Sequence, residues 1–488
     1  MNKSIQHFNE KSTKELGIIA KKFFEDPTKL DEMVDGVLET LLSFGLNLIK
    51  ETLEDADESI RQSPKRSLKW NINRKEQTQL LCRLGNVVYK RTLFQEKKDK
   101  TYHYLLDDLM GIDAHTRITA GAEAALLEET IDSSYRKGGM NVSLCDAVSK
   151  QTVKNKVHAL VIPEAPNIIT EKKKVEVLYI DADEDHISKQ FEFVKGDIKK
   201  SPNGNKYNTM LGKMIYVYEG VRLVHEKSNR KELIGKRYFG GIYSGAKGNA
   251  ELWEKVSEYI ANTYDSNTLK TVYINGDGAD WIKAGTNYIP HSKFVLDQFH
   301  LMKYINQATS HLLDSTADAK SELYAAINGK HKKELIEIFD RIIAATETDT
   351  KIKSVLDAKT YIINHWHGIT VKIKNPDIIG CSAEGHISHT FSTRMSSRPM
   401  GWSEHGANQM CKLRCYKANG GNIIQLVKEQ HELKATGTEG KAETLKTILG
   451  NMTKKRNTDD YYINRIQATI PGYSAMKQIA ISTHISNL

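Results

Sequence analysis

The amino-acid sequence predicts an α/β protein, in which a mixed β-sheet is interrupted by a helical insertion and preceded by helical, small β and helix-turn-helix-like units. Between residues 175 and 296, short apolar runs rich in β-branched and aromatic residues predict strands, and one run among them predicts a helix. Residues 302–373 are highly charged and read as helical. With 488 residues the chain is too long for one compact core, so about two to four domains are expected.

The N-terminal region, residues 1–65, is predicted to be helical because apolar residues recur at intervals of three and four. The residues that set this period are Phe24, Leu30, Met33, Val34, Val37, Leu38, Leu41 and Leu42. A helix that packs on its own chain or on a partner explains the pattern. In residues 66–115 the period changes, and the runs 86–94 and 101–105 on either side of a charged turn predict a hairpin in a small β unit.

Residues 116–165 are predicted to form a helix-turn-helix-like DNA-binding unit. A helix at 122–136 is followed by two glycines, and a further helix, a short turn and a last helix capped by Ser149 are expected over 142–157. The exposed side of the last helix carries amides for base edges and lysines for phosphates. These residues are Lys150, Gln151, Lys154 and Asn155. A helical hairpin with a solvated polar face is the alternative, and the position of this unit before the α/β core favours DNA binding.

The rest of the chain is predicted to form an α/β core around an insertion. Residues 173–301 hold the first part of the core, 302–380 the helical insertion, 381–418 the second part with a glutamate-bearing helix, and 419–488 a C-terminal tail. Strands are expected at 175–183, 214–218, 237–243, 271–275 and 294–296, with a helix at 249–264. Three strands, a helix and further strands is the order of an RNase-H-like mixed sheet.

Three acidic residues of this core stand at informative positions. Asp183 is expected at the end of the first core strand, Asp277 directly after a later strand and between glycines, and Glu384 at the start of a helix. Hard divalent ions take oxygen ligands, and phosphoryl transfer is well served by two such ions held close together. Each acid alone is equally well explained as a solvated turn residue, and only the set of three favours a metal site.

Composition narrows the function classes. The formal net charge of +9 fits a polyanionic partner without requiring one. Five scattered cysteines without a paired motif favour a reducing compartment and argue against a thiolate zinc site. The charged N-terminal residues do not resemble a signal peptide, and no run is apolar enough to span a membrane, so a cytoplasmic protein is expected.

Several runs taken together resemble bacterial insertion-sequence transposases of the ISLre-type group, which is related to the Mutator-like DDE superfamily. The runs are 179–186, 275–282, 297–300, 384–388, 394–395 and 401–403, and the likeness extends over nearly the whole chain. The resemblance implies an RNase-H-like catalytic core with a helical insertion before the glutamate. As an ordered set these motifs are specific, although each is common alone.

Carried over residue by residue, the resemblance implies that Asp183, Asp277 and Glu384 are the catalytic and metal-binding triad for two Mg²⁺ or Mn²⁺ ions. It implies Asp297 and His300 as auxiliary residues. Asp181 is the alternative first ligand, because alternate residues of a strand face the same side and spacing does not choose between them. Two basic residues after the glutamate, Arg394 and Arg398, are candidate phosphate contacts, with a solvated helix face as the alternative.

The resulting functional prediction is a DDE-type transposase that cleaves DNA at insertion-sequence ends and joins the freed 3′-hydroxyl to target DNA. Its expected partners are double-stranded DNA, as terminal inverted repeats and as target, and further copies of the chain on that DNA. No membrane and no small-molecule substrate are expected, and the expected location is the bacterial cytoplasm, at the nucleoid. Two alternatives stay open: a nuclease without strand transfer, and a domesticated or inactive copy that acts as a DNA-binding regulator.

Overall fold

The computed structural model describes residues 3–112, 116–163, 171–191, 208–228, 230–398 and 400–435. This part of the chain divides into two compact units. The first contains the residues up to Thr130, Ser134–Val153 and those from Ile423, and the second contains Ile131–Ser133 and Lys154–Asn422. The predicted tail lies outside the described residues from 436 onward, as do 113–115 and 164–165 of the predicted N-terminal units.

The first unit combines helices with a three-stranded antiparallel sheet. Its helices are α1 (Lys3–His7), α2 (Thr13–Glu25), α3 (Leu30–Gln62), α4 (Pro64–Lys69), α5 (Leu105–Met110), α6 (Ala120–Asp132), α7 (Tyr135–Met140) and α8 (Lys150–Ala159), and its strands are β1 (Trp70–Leu81), β2 (Asn86–Glu96) and β3 (Tyr102–His103). A π-helical segment, Phe8–Ser12, joins α1 to α2, and a 3₁₀ turn, Pro27–Lys29, precedes α3. The last residues of α6 and α8 belong to the second unit.

The hairpin of the first unit differs from the predicted one. β2 pairs with β1 along its whole length, from Trp70 opposite Glu96 to Leu81 opposite Asn86. The predicted partner run, 101–105, contributes only the two-residue β3. The sequence conceals β1 because most of its side chains are exposed on both faces, so it lacks the apolar alternation of a half-buried strand.

The predicted helix-turn-helix region also differs in part. The first helix is broken into α6 and α7, and Ser134 caps α7 by accepting a hydrogen bond from the Lys137 amide at 3.2 Å. Gly138 lies inside α7 and does not end the helix. A Cβ at this position would overlap Thr130 Oγ1, so the glycine permits close packing against Thr130. The helix expected to begin at 142 is absent, since residues 141–145 form a turn and bends and 146–149 have no regular structure. Ser149 caps α8 as predicted, accepting from the Thr152 amide at 3.2 Å.

The second unit has a five-stranded mixed sheet and many helices. Its strands are β4 (Val177–Ser188), β5 (Thr209–Tyr218), β6 (Gly220–Leu223), β7 (Lys231–Ile234), β8 (Arg237–Ile242), β9 (Thr271–Gly276) and β10 (Ser292–Leu296). Its helices are α9 (Gly245–Thr263), α10 (Asp280–Lys283), α11 (Gln298–Thr309), α12 (Thr316–Asn328), α13 (Lys332–Ala344), α14 (Asp349–Asn364), α15 (Trp366–Lys374), α16 (Ala383–Ile387), α17 (Thr393–Met395) and α18 (Glu404–Ala418). The last described helix, α19 (Ile423–Ala435), belongs to the first unit.

The large sheet has the strand order β10-β9-β4-β5-β8. β4, β5 and β8 are antiparallel neighbours, and β9 and β10 run parallel to β4. α9 crosses from β8 to β9 and packs on one face of the sheet, where Trp253 and Val256 are fully buried. β6 and β7 form a separate hairpin that the sequence did not predict.

β4 is longer than predicted, and this changes the position of Asp183. Pairing with β5 continues to Ser188 opposite Thr209, so Asp183 lies in the interior of the strand and not at its end. Alternation along the strand sends Leu178 and Ile180 into the core beneath α9. The aspartates at 181, 183 and 185 therefore share the opposite face.

The insertion is a helical body with its own apolar core. α11 to α15 bury a cluster that includes Leu323, Phe339, Val355 and Ile362, each fully buried. Recurring apolar residues on each helix meet in this cluster, and the charged residues lie outside it. Among the described helices, none has an apolar stretch long enough to cross a membrane.

Candidate active site

Asp181 lies at the centre of a set of donors supplied by the protein. Its buried carboxylate accepts hydrogen bonds from the hydroxyls of Tyr216 (2.7 Å) and Tyr218 (3.1 Å), the Asn275 amide (2.7 Å) and the Ser382 backbone N–H (2.8 Å). Burial raises the pKa of Asp181, and these donors act in the opposite direction. The carboxylate thereby ties β4 to β5, to β9 and to the segment before α16.

Asp183 has different surroundings, although it is only two residues away. Burial raises the pKa of Asp183 to about 7, and the Asp277 and Glu384 carboxylates reinforce this shift. The Glu184 backbone N–H, 2.8 Å from the Asp183 carboxylate, opposes it. The imidazole of His300 acts on it in the opposite sense. The fold thus brings Asp277, Glu384 and His300 within electrostatic reach of Asp183.

The loop after β9 presents Asp277. Its carboxylate accepts the backbone N–H of Ala279 at 2.8 Å, which closes a tight turn. Gly278 at the centre of this turn has φ +93°, a conformation that glycine adopts at little cost. The Gly-Asp-Gly run therefore forms a turn, and this turn holds the aspartate at the carboxyl end of a parallel strand.

Glu384 lies in the first turn of α16, and the helix is anchored at both ends. Before it, Ser382 donates its backbone N–H to Asp181. After it, the helical path passes through a π-helical segment, Ser388–Ser392, before α17. The buried Arg414 of α18 donates to the carbonyl oxygens of His389 (2.9 Å) and Thr390 in this segment. These contacts supply the partners that a π-helical interruption leaves to its carbonyl groups.

Asp297 and His300 form a linked pair at the start of α11. One carboxylate oxygen of Asp297 accepts the Phe299 backbone N–H at 3.1 Å and caps the helix. The other lies 3.1 Å from Nδ1 of His300. This hydrogen bond is the main cause that raises the pKa of His300, and the Asp277 and Asp183 carboxylates add to it. His300 is thereby oriented beside the acidic group.

The chemistry of the acidic group fits a divalent cation. Asp183 and Asp277 are half-buried and Glu384 is exposed, and the carboxylates of Asp277 and Glu384 disfavour the charge of Asp183, so a bound cation would relieve that repulsion. In the part of the chain that the structure describes, no three His, Cys, Asp or Glu side chains lie close enough to hold a metal ion as they stand. The carboxylates would therefore have to draw closer around an ion.

The predicted DNA-contacting residues differ in exposure. On α8, Lys150, Gln151 and Asn155 are exposed and Lys154 is half-buried. Arg398 is also exposed.

The buried position of Arg394 does not fit the predicted contact with a phosphate. It is 7% exposed, and its guanidinium lies 4.8 Å from the centre of the Trp402 ring and 3.4 Å from the Met400 sulfur. The sequence suggested a surface residue because arginine is rarely buried. Packing on the aromatic ring places it in the interior instead.

The donors to Asp181 are residues that sequence reasoning missed. Tyr216 and Tyr218 alternate along β5, so both face the aspartates of β4, and Asn275 precedes the Gly-Asp-Gly turn by one strand position. Polar aromatic residues at alternate positions of a buried strand were the available signal. Ser382 gave no comparable signal, because its contact with Asp181 joins residues 201 positions apart in the chain.

Comparisons with curated proteins return relatives without an assigned function. A UPF0236 protein from Caldanaerobacter subterraneus subsp. tengcongensis is 36% identical over 397 residues, covering 81% of this chain and 79% of that protein. Another from the same organism, whose name joins eleven gene designations, is 34% identical and covers 85% of this chain and 83% of its own length. A UPF0236 protein from Streptococcus gallolyticus is 23% identical, covering 72% and 75%.

Among solved structures, the Drosophila P element transposase strand transfer complex aligns with 64% of this chain and 94% of that chain. The sequence identity is 10% and the TM-score is 0.27, which is too low to establish a common fold. The profile of the family described as "Uncharacterised protein family (UPF0236)" matches residues 24–432. On this match and on relatives above 30% identity over most of its length, the chain belongs to the UPF0236 family.

Proposed function

We propose that this UPF0236 member is a DDE-type DNA transposase, which cleaves DNA at the ends of an insertion sequence and transfers the 3′-hydroxyl end to target DNA. The observation that carries the proposal is the electrostatic coupling of Asp183 to Asp277, Glu384 and His300. These residues come from four separate segments of the sequence. A chance meeting of turn acids does not explain why repelling carboxylates are held together.

The sheet topology supports an RNase-H-like core. Three antiparallel strands of the large sheet, with the hairpin β6–β7 inserted before the third, are followed by a helix and by two strands that run parallel to the first. The helical insertion then separates this part from the helix that bears Glu384. This is the arrangement that the resemblance to ISLre-type transposases implies.

The proposed cofactor is a pair of Mg²⁺ or Mn²⁺ ions, for which Asp183, Asp277 and Glu384 would supply oxygen ligands. When bound, such ions activate the attacking oxygen and stabilise the leaving oxygen of a phosphodiester. The chain itself places the carboxylates, and Asp297 holds His300 beside them through Nδ1. Asp181 is not proposed as a ligand, because protein donors surround its carboxylate.

The naming of one relative also supports a mobile gene. A single name that joins eleven gene designations of one bacterium is what a gene repeated within a genome would carry. Insertion sequences multiply in this way, whereas ordinary metabolic genes rarely do. We extend this reasoning to the present chain only as part of the proposal.

The proposed partner is double-stranded DNA, as element ends and as target. The surface of α8 with Lys150, Gln151, Lys154 and Asn155 would contact the element ends, and Arg398 would contact a phosphate. Joining two ends in one reaction calls for at least two copies of the chain on the DNA. The work would take place in the bacterial cytoplasm, at the nucleoid, without a membrane or a small-molecule substrate.

A second candidate is a DNA-binding regulator derived from a transposase. The observation that favours it is the spacing of the carboxylates, since among the described residues no three potential ligands stand close enough to hold a metal. Such a copy would bind the element ends through α8 and would not cut them.

The test is cleavage and strand transfer on labelled DNA with the element's own ends, in Mg²⁺ or Mn²⁺. We expect the wild type to cut and join, whereas Asp277→Ala and Glu384→Ala bind the ends and do neither. Glu258→Ala, an exposed acid on α9, is the matched control and should retain both steps. Cutting without joining would identify a nuclease. End binding by an inactive wild type would favour the regulator.

A further inference from the structure

One helix of the insertion, α14, reaches the loop that carries Asp277. Two side chains, one turn apart at its C-terminal end, reach this loop. The hydroxyl of Tyr361 donates to the backbone carbonyl oxygen of Asp277, and Nε2 of His365 lies 3.0 Å from the carbonyl oxygen of Gly278. Two consecutive carbonyl groups of the loop are thus bound by consecutive turns of the insertion.

The position of His365 is fixed from its own helix. Its Nδ1 lies 2.8 Å from the carbonyl oxygen of Tyr361, and the residue is only 9% exposed. Both ring nitrogens therefore face carbonyl oxygens, and a neutral imidazole, which carries one N–H, donates to one of the two. A buried ring in contact with both carbonyl groups has little freedom to leave the loop.

Gly278 makes this approach possible. A Cβ at this position would overlap Nε2 of His365, and the backbone has φ +93°. The glycine thus serves the contact with His365 as well as the turn itself. A larger residue would push the helix or the loop away.

Tyr361 also contacts the helix that carries the auxiliary histidine. Its ring stacks on Tyr304 with centroids 3.7 Å apart and an interplanar angle of 17°. Tyr304 lies on α11, one turn after His300. One side chain of the insertion therefore touches both the Asp277 loop and the helix of His300.

We propose that Tyr361 and His365 are positioning residues, which hold the Asp277 carboxylate in place and set its distance from His300. The inserted helices are then part of the catalytic apparatus and not an appendage to it. The inference rests on the proposed function in one respect, the role of Asp277 as a metal ligand. Its structural content, the ordering of the Asp277 loop by α14, can be measured without DNA or metal.

Four variants test this inference. Tyr361→Phe keeps the ring stack and removes only the hydroxyl, and His365→Leu removes the imidazole with both of its polar contacts. His365→Gln keeps a donor of similar reach and should restore part of the effect. Tyr324→Phe is the matched control, since Tyr324 is half-buried in the same insertion core on α12.

The first measurement is hydrogen–deuterium exchange of residues 276–282 in the metal-free protein, followed by mass spectrometry. We expect Tyr361→Phe and His365→Leu to speed amide exchange in this loop by about tenfold, as one lost buried hydrogen bond predicts. Tyr324→Phe should leave it unchanged. If Tyr361→Phe exchanges like the wild type while the protein remains folded, the inference is overturned, even where His365→Leu fails to fold.

The second measurement is Mn²⁺ binding, followed by the electron paramagnetic resonance of the free ion. Loss of a residue that orients a ligand typically weakens binding by about 10- to 100-fold, and we expect this range for Tyr361→Phe. If the wild type binds no Mn²⁺ and cuts no DNA, the proposed function fails, and loop exchange still decides on positioning. If the wild type binds and cuts, and Tyr361→Phe does both unchanged, positioning fails and the proposed function stands.

Discussion

Asp181 and Asp183 lie on the same strand and the same face of the sheet, yet their surroundings are opposite. Around Asp181, two hydroxyls, one side-chain amide and one backbone N–H point at the carboxylate. Around Asp183, two further carboxylates oppose its ionisation, and His300 favours it. Only two residues apart on one strand, Asp181 thus accepts hydrogen bonds from four donors, whereas neighbouring carboxylates disfavour the charge of Asp183.

This difference separates stabilising from functional residues better than burial alone does. Burial raises the pKa of both carboxyl groups, but the donors around Asp181 oppose that shift, whereas the carboxylates of Asp277 and Glu384 add to it at Asp183. Asp185, the next aspartate on this face, is intermediate. One of its oxygens accepts the Ser396 hydroxyl at 2.9 Å, and the other is buried without a hydrogen-bond partner among the described residues.

The largest effect on stability is expected at Asp181. Asp181→Ala would leave the hydroxyls of Tyr216 and Tyr218 and two N–H donors buried without their acceptor. We expect the free energy of unfolding to fall by about 3 to 5 kcal/mol. Urea unfolding followed by tryptophan fluorescence, in the presence of EDTA, measures this change.

Asp183→Ala is the matched control for this prediction, since it removes a carboxylate of the same strand and face. It should not destabilise the protein comparably. An equal loss of stability in both variants would contradict the division between the two aspartates.

A smaller but still large effect is expected at Gly278. In Gly278→Ala the new Cβ meets Nε2 of His365 and the backbone keeps a positive φ, at a cost of about 2 to 4 kcal/mol. Gly245→Ala is the control, because Gly245 has φ +65° and a Cβ there would meet nothing within 4 Å. We expect the control to lose only about 1 kcal/mol. Equal thermal shifts in both variants would show that the contact with His365 adds nothing.

The predicted and observed elements of the fold can be compared in the same way. The α/β class and the mixed sheet follow from apolar runs that local patterns express well. The polar strand β1 and the hairpin β6–β7 do not, because their side chains lack a buried face. Three acids could be named as candidates from strand and helix positions, and their roles stay a proposal.

The spacing of residues in the sequence could not distinguish Asp181 from Asp183 as the first metal ligand, and the reason is physical. Both face the same way, and what distinguishes them comes from distant segments, such as Tyr216 on β5 and Ser382 before α16. Arg394 teaches the same lesson, since only the packed fold brings Trp402 beneath its guanidinium. The local sequence pattern indicates candidate residues, whereas tertiary contacts determine which of their polar groups have partners within the protein.

A third prediction concerns the cost of the Asp183 charge. Its pKa in the folded protein, about 7, is above the ordinary value of 3.8, so the folded state binds more protons than the unfolded state between these values. Stability from this group therefore falls as the pH rises from about 4 to about 7. Asp183→Asn removes the charge, and we expect it to gain about 2 kcal/mol at pH 8 in EDTA and almost nothing at pH 4.

Thermal unfolding at the two pH values checks this expectation. Asp280→Asn is the control, because Asp280 is exposed and Lys283 lowers its pKa, so no gain is expected there. A gain for Asp183→Asn that does not depend on pH would mean that the charge is not the source of the cost.

The smallest effect is expected at Ser396, which tests the intermediate place of Asp185. Ser396→Ala removes the hydroxyl that donates to one oxygen of Asp185, whose other oxygen is already without a hydrogen-bond partner among the described residues. We expect a loss of about 1 kcal/mol, since one hydrogen bond is removed. Ser397→Ala, which removes an exposed hydroxyl bonded to the Thr393 carbonyl, should lose less. A loss at Ser396 as large as that at Asp181 would place Asp185 among the satisfied carboxylates, and no loss would place it with Asp183, whose charge the neighbouring carboxylates oppose.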